Sequence, residues 1–123
     1  MNRISNITPF DEVHSINVGI GVTLTLYTFT VPTHCVLRVK KFANYTDTPA
    51  AVGTGLTWHI NRNGIGVFRY HNILDIIGQS FKPEDINVPL FKGGDVLTVV
   101  TTNGTAGIVM SGIRIKFDLE DAE

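Results

Sequence analysis

Few residues in this chain have the types and spacing that chemistry needs. Cys35 follows His34 directly. A nucleophile needs a base within reach and a third group to orient that base. In an extended strand, adjacent side chains point to opposite faces, so His34 is poorly placed to activate Cys35. Cys35 reads instead as an inward structural thiol. The other histidines are His14, His59 and His71. No two of the histidines have the short spacing that puts two metal ligands on one face, and no Glu closes a paired-histidine cluster. Convergence of distant histidines is the one metal arrangement the spacing leaves open.

Carboxylate pairs for glycoside chemistry must flank a cleft. Asp75, Glu84, Asp85 and Asp95 all stand beside turns, Gly or Pro, where turn and cap chemistry accounts for them. Val18-Gly19-Ile20-Gly21 precedes a strand pattern, whereas a phosphate-binding glycine loop opens a helix. Trp58 shares its alternation with Leu56 and Ile60, which places it in a core. We therefore expect no catalytic residue, no metal ligand and no cofactor.

The elements that would position these residues are strands. Val22 to Val31 alternates apolar and polar residues, with Val22, Leu24 and Leu26 on one face. Tyr27, Phe29 and Val31 share the other face with Thr23 and Thr25. The apolar side thus switches near Tyr27, as a β-bulge, a twist or burial on both faces would explain. Cys35, Leu37 and Val39 form the inward side of the next strand, ahead of a loop over residues 46–55. Leu56 to Asn61 and Ile65 to Tyr70 flank Asn63-Gly64, whose residues tolerate the positive φ of a two-residue hairpin turn. Residues 72–78 fit either a helical turn or a crossing segment. Asp85 to Phe91 reads as a strand in which Pro89 marks an edge or a bulge. Asp95 to Thr102 and Ala106 to Leu119 complete the set. The last is expected to bury Val109, Ile113, Ile115 and Phe117 and to expose Ser111, Arg114 and Lys116.

These runs predict an all-β chain: a single antiparallel β-sandwich, jelly-roll-like, of about eight strands. Residues 1–12 show no clear strand pattern and are read as an extended N-terminal arm studded by Ile4, Ile7 and Phe10; a strand paired within the domain is the alternative. Residues 13–119 form the sandwich, and 120–123 an acidic, solvated tail. Asn44-Tyr45-Thr46 and Asn103-Gly104-Thr105 fit the glycosylation acceptor pattern but read better as turn and strand-end residues.

The chain has 123 residues, enough for one core that buries roughly two-thirds of the unfolded surface. Charged residues make up 17%, below the roughly 25% usual in soluble domains. That deficit suggests surface covered by sister subunits or a larger assembly. The net charge is −1, and no basic run exceeds Lys40-Lys41, so nucleic acid is not an expected partner. No apolar run approaches the roughly 20 residues of a membrane span. A single cysteine forms no intrachain disulfide, and residues 1–10 carry no secretory signal pattern, so synthesis in a reducing cytoplasm is expected.

Phe29-Thr30-Val31-Pro32 leads into Leu37-Arg38-Val39-Lys40, then Asn44-Tyr45 and Trp58-His59-Ile60-Asn61-Arg62-Asn63-Gly64. Ile77-Gly78, Ile86 through Asp95, Thr102-Asn103 and Gly112-Ile113-Arg114-Ile115 follow. Over about residues 22 to 117, this series resembles the small β-sandwich proteins of tailed-phage virions, including capsid decoration (cement) proteins. The resemblance implies a non-enzymatic virion protein on the capsid surface. It would act as a homo-oligomer, a trimer by analogy, and would clamp the major capsid protein or another virion protein. On this reading Ile4, Ile7 and Phe10 contact the partner. A carbohydrate- or receptor-binding module of a fibre or tail is the alternative, with Tyr45, Phe68 and Tyr70 as its sugar-facing aromatics. A cupin-like metal enzyme is the third reading.

Overall fold

Alternation of β-branched and polar residues drives most of this chain into strands. In the computed structural model, the described residues are 6–46, 53–72, 78–81, 88–105 and 107–121. They form β1 (Ile7–Val18), β2 (Thr23–Thr30), β3 (Cys35–Thr46), β4 (Gly53–Arg62), β5 (Ile65–Asn72), β6 (Gly78–Phe81), β7 (Phe91–Lys92), β8 (Val96–Thr105) and β9 (Val109–Asp121). One sheet runs β1-β9-β3-β6, with the two-residue β7 also on β3; the other runs β2-β8-β4-β5. Every pairing is antiparallel. The first three strand connections each cross from one sheet to the other, which is the jelly-roll path.

The two inner faces supply the core. Leu37, Phe42, Leu56, Trp58, Ile60, Phe91, Leu97, Val99, Ile113 and Ile115 are fully buried. Cys35 is half-buried and packs against this cluster. Val109, Ile113, Ile115 and Phe117 all face inward, as the alternation predicts. Ser111 does not follow the expectation of exposure. It shares their parity and is fully buried, and its Oγ lies 2.7 Å from Thr101 Oγ1 on β8 in the facing sheet.

The switch of apolar side in β2 is a β-bulge between Thr25 and Tyr27. Leu24 opposes the buried Thr101, and after the extra residue Tyr27 opposes the buried Val99. Asn63 and Gly64 have φ of 53° and 81°, the signature of the predicted type I′ hairpin turn.

Two boundaries differ from the sequence reading. Residues 7–12 form the first half of β1, antiparallel to β9 from Ile7↔Glu120 onward, rather than a free arm. The cause is aromatic packing: Phe10 stacks on Phe117 at 4.7 Å and meets Phe29 edge-on at 5.4 Å. The expected acidic tail is also shorter. Glu120 and Asp121 belong to β9, because Arg38 on β3 donates to Glu120 at 3.1 Å and Asp121 pairs with Cys35. Of the strand expected over 85–91, residues 85–87 lie outside the described residues and Phe91 pairs in β7.

Candidate functional site: outer faces and the turn end

The inward side chains of β1 and β2 form a small polar cluster at one open edge of the sandwich. His14 Nε2 lies 3.3 Å from Glu12 Oε1, and the His14 ring stacks on Tyr27 at 5.0 Å. Burial pushes the Tyr27 hydroxyl up to about 12, with the Glu12 carboxylate adding to the effect. Both causes favour the neutral phenol. The cluster holds Tyr27 as a protonated wall and provides no activated nucleophile. His34 sits exposed in the turn before β3 with φ of 72°, and His59 is half-buried on the outer side of β4. Desolvation, then the Arg69 charge, lower the His59 pKa. Among the described residues, no three His, Cys, Asp or Glu side chains gather as metal ligands.

The outer face of the β1-β9-β3 sheet is a lattice of paired charges. Arg114 donates to both Asp11 oxygens, at 2.9 and 2.6 Å, and this contact is the main reason the Asp11 carboxyl is held low. Arg38 meets Glu120, and Lys40 Nζ lies 4.0 Å from Asp118. Pro9, Asp11, Lys40, Lys116 and Asp118 rim an open recess of about 440 Å³ over Phe10 and Phe117. Its carboxylates and ammonium groups offset one another, so the face has no strong preference for either sign.

The opposite sheet differs. Its outward side carries Thr23, Thr25 and Thr28 on β2, Thr98, Val100 and Thr102 on β8, and Thr57 and His59 on β4. Thr23 and Thr102 hydroxyls lie 2.8 Å apart across the β2–β8 pair. Val13–Leu37 and Val96–Ile113 contain no Asp, Glu, Lys or Arg. Because β2 and β8 are neighbours, these two stretches make one uncharged surface.

At one end of this surface, two turns are tied together by a single buried amide. Asn103 Nδ2 donates to Val18 O at 2.9 Å and to Gly107 O at 2.8 Å, and Asn103 Oδ1 accepts from Thr105 N at 2.8 Å. Its backbone also pairs with the β1–β2 turn: Gly21 N donates to Asn103 O, and Asn103 N donates to Val22 O. At the other end, Asp95 accepts from Lys92 N and Asn63 Nδ2, and these bonds hold its carboxyl low. Asp95 is thus fixed as a turn residue.

Of the expected contact residues, the described ones differ in setting. Ile7 is 57% exposed on β1, Phe10 is half-buried in its aromatic stack, and Ile4 lies outside the described residues. Tyr45 lies across Gly112 on the outer side of the charged sheet. Phe68 and Tyr70 belong to the other sheet and pack inward on Phe42 and Trp58. The three aromatics of the sugar-binding reading therefore form no common platform. Asn44 and Asn103, the glycosylation-pattern residues, are both buried. The sequence reading missed the exposed aliphatics Ile20 and Ile108, each beside a glycine in a turn, where an apolar residue stands out once the turn is recognised.

No family model matches this chain, and no curated protein matches it. Solved structures do share its fold. A chain of the Bacillus endospore appendages, described as a family of disulfide-linked pili, aligns over 100% of this chain and 95% of its own, with 13% identity and a TM-score of 0.55. The capsid structure of Helicobacter pylori bacteriophage KHP30 contains a chain aligned over 93% and 92%, with 9% identity and a TM-score of 0.56. Infectious bursal virus derived T=1 particles give 12% identity and a TM-score of 0.50 over 96% of this chain, which matches 32% of theirs.

Proposed function

We propose that this chain is a virion structural protein that acts by binding, as a capsid decoration or cement subunit that self-associates, as a trimer, and holds capsid proteins together. The observation that carries this reading is the whole-chain fold match to a bacteriophage capsid chain. The match to pilus chains supports the broader idea of an assembling subunit. The arrangement of side chains agrees with a binding role: Asp95 is tied into a turn and Asp11 into an ion pair with Arg114, while the outer side of β2 and β8 is uncharged. Partner contact by the N-terminal segment belongs to the proposal through Ile4 and Ile7. Phe10 serves the core instead.

The test combines a solution mass with a capsid-binding assay. Purified protein is expected to run as a trimer and to co-sediment saturably with capsids of its phage prepared without it. A monomer that leaves such capsids unbound at micromolar concentration overturns the proposal. Deleting residues 1–12 would strip half of β1 from the sheet. The N-terminal contact is therefore tested by removing residues 1–5 together with Ile7→Ser, which is expected to weaken co-sedimentation while leaving the fold intact.

A further inference from the structure

We infer that the core of the sandwich is a binding site for one internal water molecule, shared by Asn44 and Trp58, two buried donors on facing sheets. Asn44 is 2% exposed and Trp58 is fully buried. Among the described residues, neither Asn44 Nδ2 nor Trp58 Nε1 has a hydrogen-bond partner. A buried donor left unpaired costs more than an ordinary hydrogen bond contributes, and native interiors rarely leave one dry. Here two donors lack the same thing, an acceptor.

Their placement follows from register. Trp58 on β4 stands between Thr101 on β8 and Tyr70 on β5. Thr101 Oγ1 reaches across the sandwich to Ser111 Oγ at 2.7 Å, and Ser111 is paired with Thr46 on β3. Asn44 is the inward residue of β3 next to Thr46. One inward step beyond Asn44, Phe42 meets Phe68 of β5 edge-on at 5.8 Å. Phe68 is in turn one inward step from Tyr70, whose ring stacks on Trp58 at 6.2 Å. Asn44 therefore lies between two contacts that join the sheets. On the opposite sheet Trp58 adjoins the same two contacts, with Thr101 beside it and Phe68 one step along. Such a step is about 7 Å, which brings the amide and the indole nitrogen within reach of one bridging molecule.

The chemistry selects water. Both free groups are neutral donors, so the occupant must accept two hydrogen bonds. An anion would also accept them, but burying a charge among neutral groups is far costlier. The buried polar residues described are all Asn, Ser or Thr, so no cation is at hand to offset one. Water accepts two hydrogen bonds and donates two. The Thr101 and Ser111 hydroxyl oxygens, beside Trp58, keep lone pairs for its hydrogens. The site thus offers the two to four polar partners that an internal water requires.

The experiment is nuclear magnetic resonance on the isotope-labelled full chain, paired with a high-resolution crystal structure. The chain has one tryptophan, so its indole N–H signal is unambiguous. A rotating-frame experiment is expected to show a direct dipolar cross-peak between water and the Trp58 indole hydrogen, and another between water and the Asn44 amide. The crystal map is expected to show one density peak about 2.7–3.2 Å from both nitrogens. Asn44→Leu, which is larger and has no donor, is expected to take the water's place and remove the Trp58 cross-peak. Dry donors predict the reverse: no cross-peak in the wild type, and a higher melting temperature for Asn44→Leu because an orphan donor is gone. Either a folded wild type without the Trp58 cross-peak, or a map with no density bonded to both nitrogens, overturns the inference. Should Asn44→Leu fail to fold, the wild-type spectrum and map decide the matter by themselves.

Discussion

Replacing Asn103 by Ala is expected to be among the costliest polar substitutions in this protein. Asn103 is fully buried and its amide makes three bonds to backbone: to Val18 O, to Gly107 O and from Thr105 N. Thr105 Oγ1 adds a fourth contact, 2.6 Å from Asn103 Oδ1. Neutral hydrogen bonds contribute about 1 kcal/mol each, and a buried backbone group left without a partner costs about 1–3 kcal/mol. Losing this set amounts to about 3–5 kcal/mol, a large share of the roughly 5–15 kcal/mol that holds a domain folded. At about 4 °C per kcal/mol, the melting temperature falls by about 12–20 °C. Urea unfolding is the assay, followed by Trp58, the only tryptophan and fully buried.

Asn103→Asp discriminates between lost volume and lost donors. It keeps the shape but aims an oxygen at two carbonyls. At neutral pH its loss should equal or exceed that of the Ala variant. Burial and the facing carbonyls raise the folded-state pKa of the new carboxyl above its unfolded value near about 3.9. The folded state then binds the proton more tightly, so stability relative to wild type recovers as pH falls towards the unfolded value. A loss below about 1 kcal/mol for Asn103→Ala, or an Asp variant with no recovery in acid, would refute the clamp.

Two further predictions follow from close contacts. A Cβ added at Gly112 falls inside the Tyr45 ring, so Gly112→Ala should cost about 1–3 kcal/mol. The same change in a Tyr45→Ala background should cost far less, and a double-mutant cycle by thermal melting measures that coupling. Tyr27, pushed up to about 12 by burial and Glu12, should ionise well above the ordinary tyrosine value near about 10, as the part of an ultraviolet titration that Tyr27→Phe removes. Because its folded pKa lies above the unfolded value near about 10, its contribution is present below that pH and is lost as pH rises towards 12. Glu12→Gln should lower that transition; a Tyr27→Phe variant that keeps the late transition would contradict the placement.

Strands whose two faces differ in polarity were legible in the sequence. Leu56, Trp58 and Ile60 face inward, Asn63-Gly64 makes its turn, and the reversed alternation at Tyr27 marks a true bulge. The obscured features have physical reasons. β1 carries Glu12 and His14 on its inner side because it lies at the open edge, so the inner side does not read as apolar. Ser111, Asn44 and Asn103 look like surface or turn residues, yet all three are buried. Asn44 Nδ2 and Trp58 Nε1 find no hydrogen-bond partner among the described residues. Phe68 and Tyr70 were readable as core residues, since Arg69 between them takes the outer side. Ion pairs such as Asp11–Arg114 join residues too far apart in sequence for local pattern to reveal.

The low charge content takes on a specific meaning once the topology is known. It is not an even dilution over the surface. The two long uncharged stretches lie far apart in sequence, and the jelly-roll path sets them side by side as β2 and β8. Apart from Arg69, which stands beside His59 on the outer side of β5, the outer-face charges of the strands collect on the opposite sheet, where β1, β9 and β3 pair Asp11 with Arg114, Arg38 with Glu120 and Lys40 with Asp118. A sandwich that needed only solubility would gain by scattering charge on both faces, since exposed neutral β-surface invites association. Segregation of this kind leaves one side that water and neighbouring charges satisfy and another suited to contact with protein. Because the division arises from strands remote in sequence, a charge introduced at Thr28 or Thr98 would disturb the neutral face without disturbing any existing ion pair.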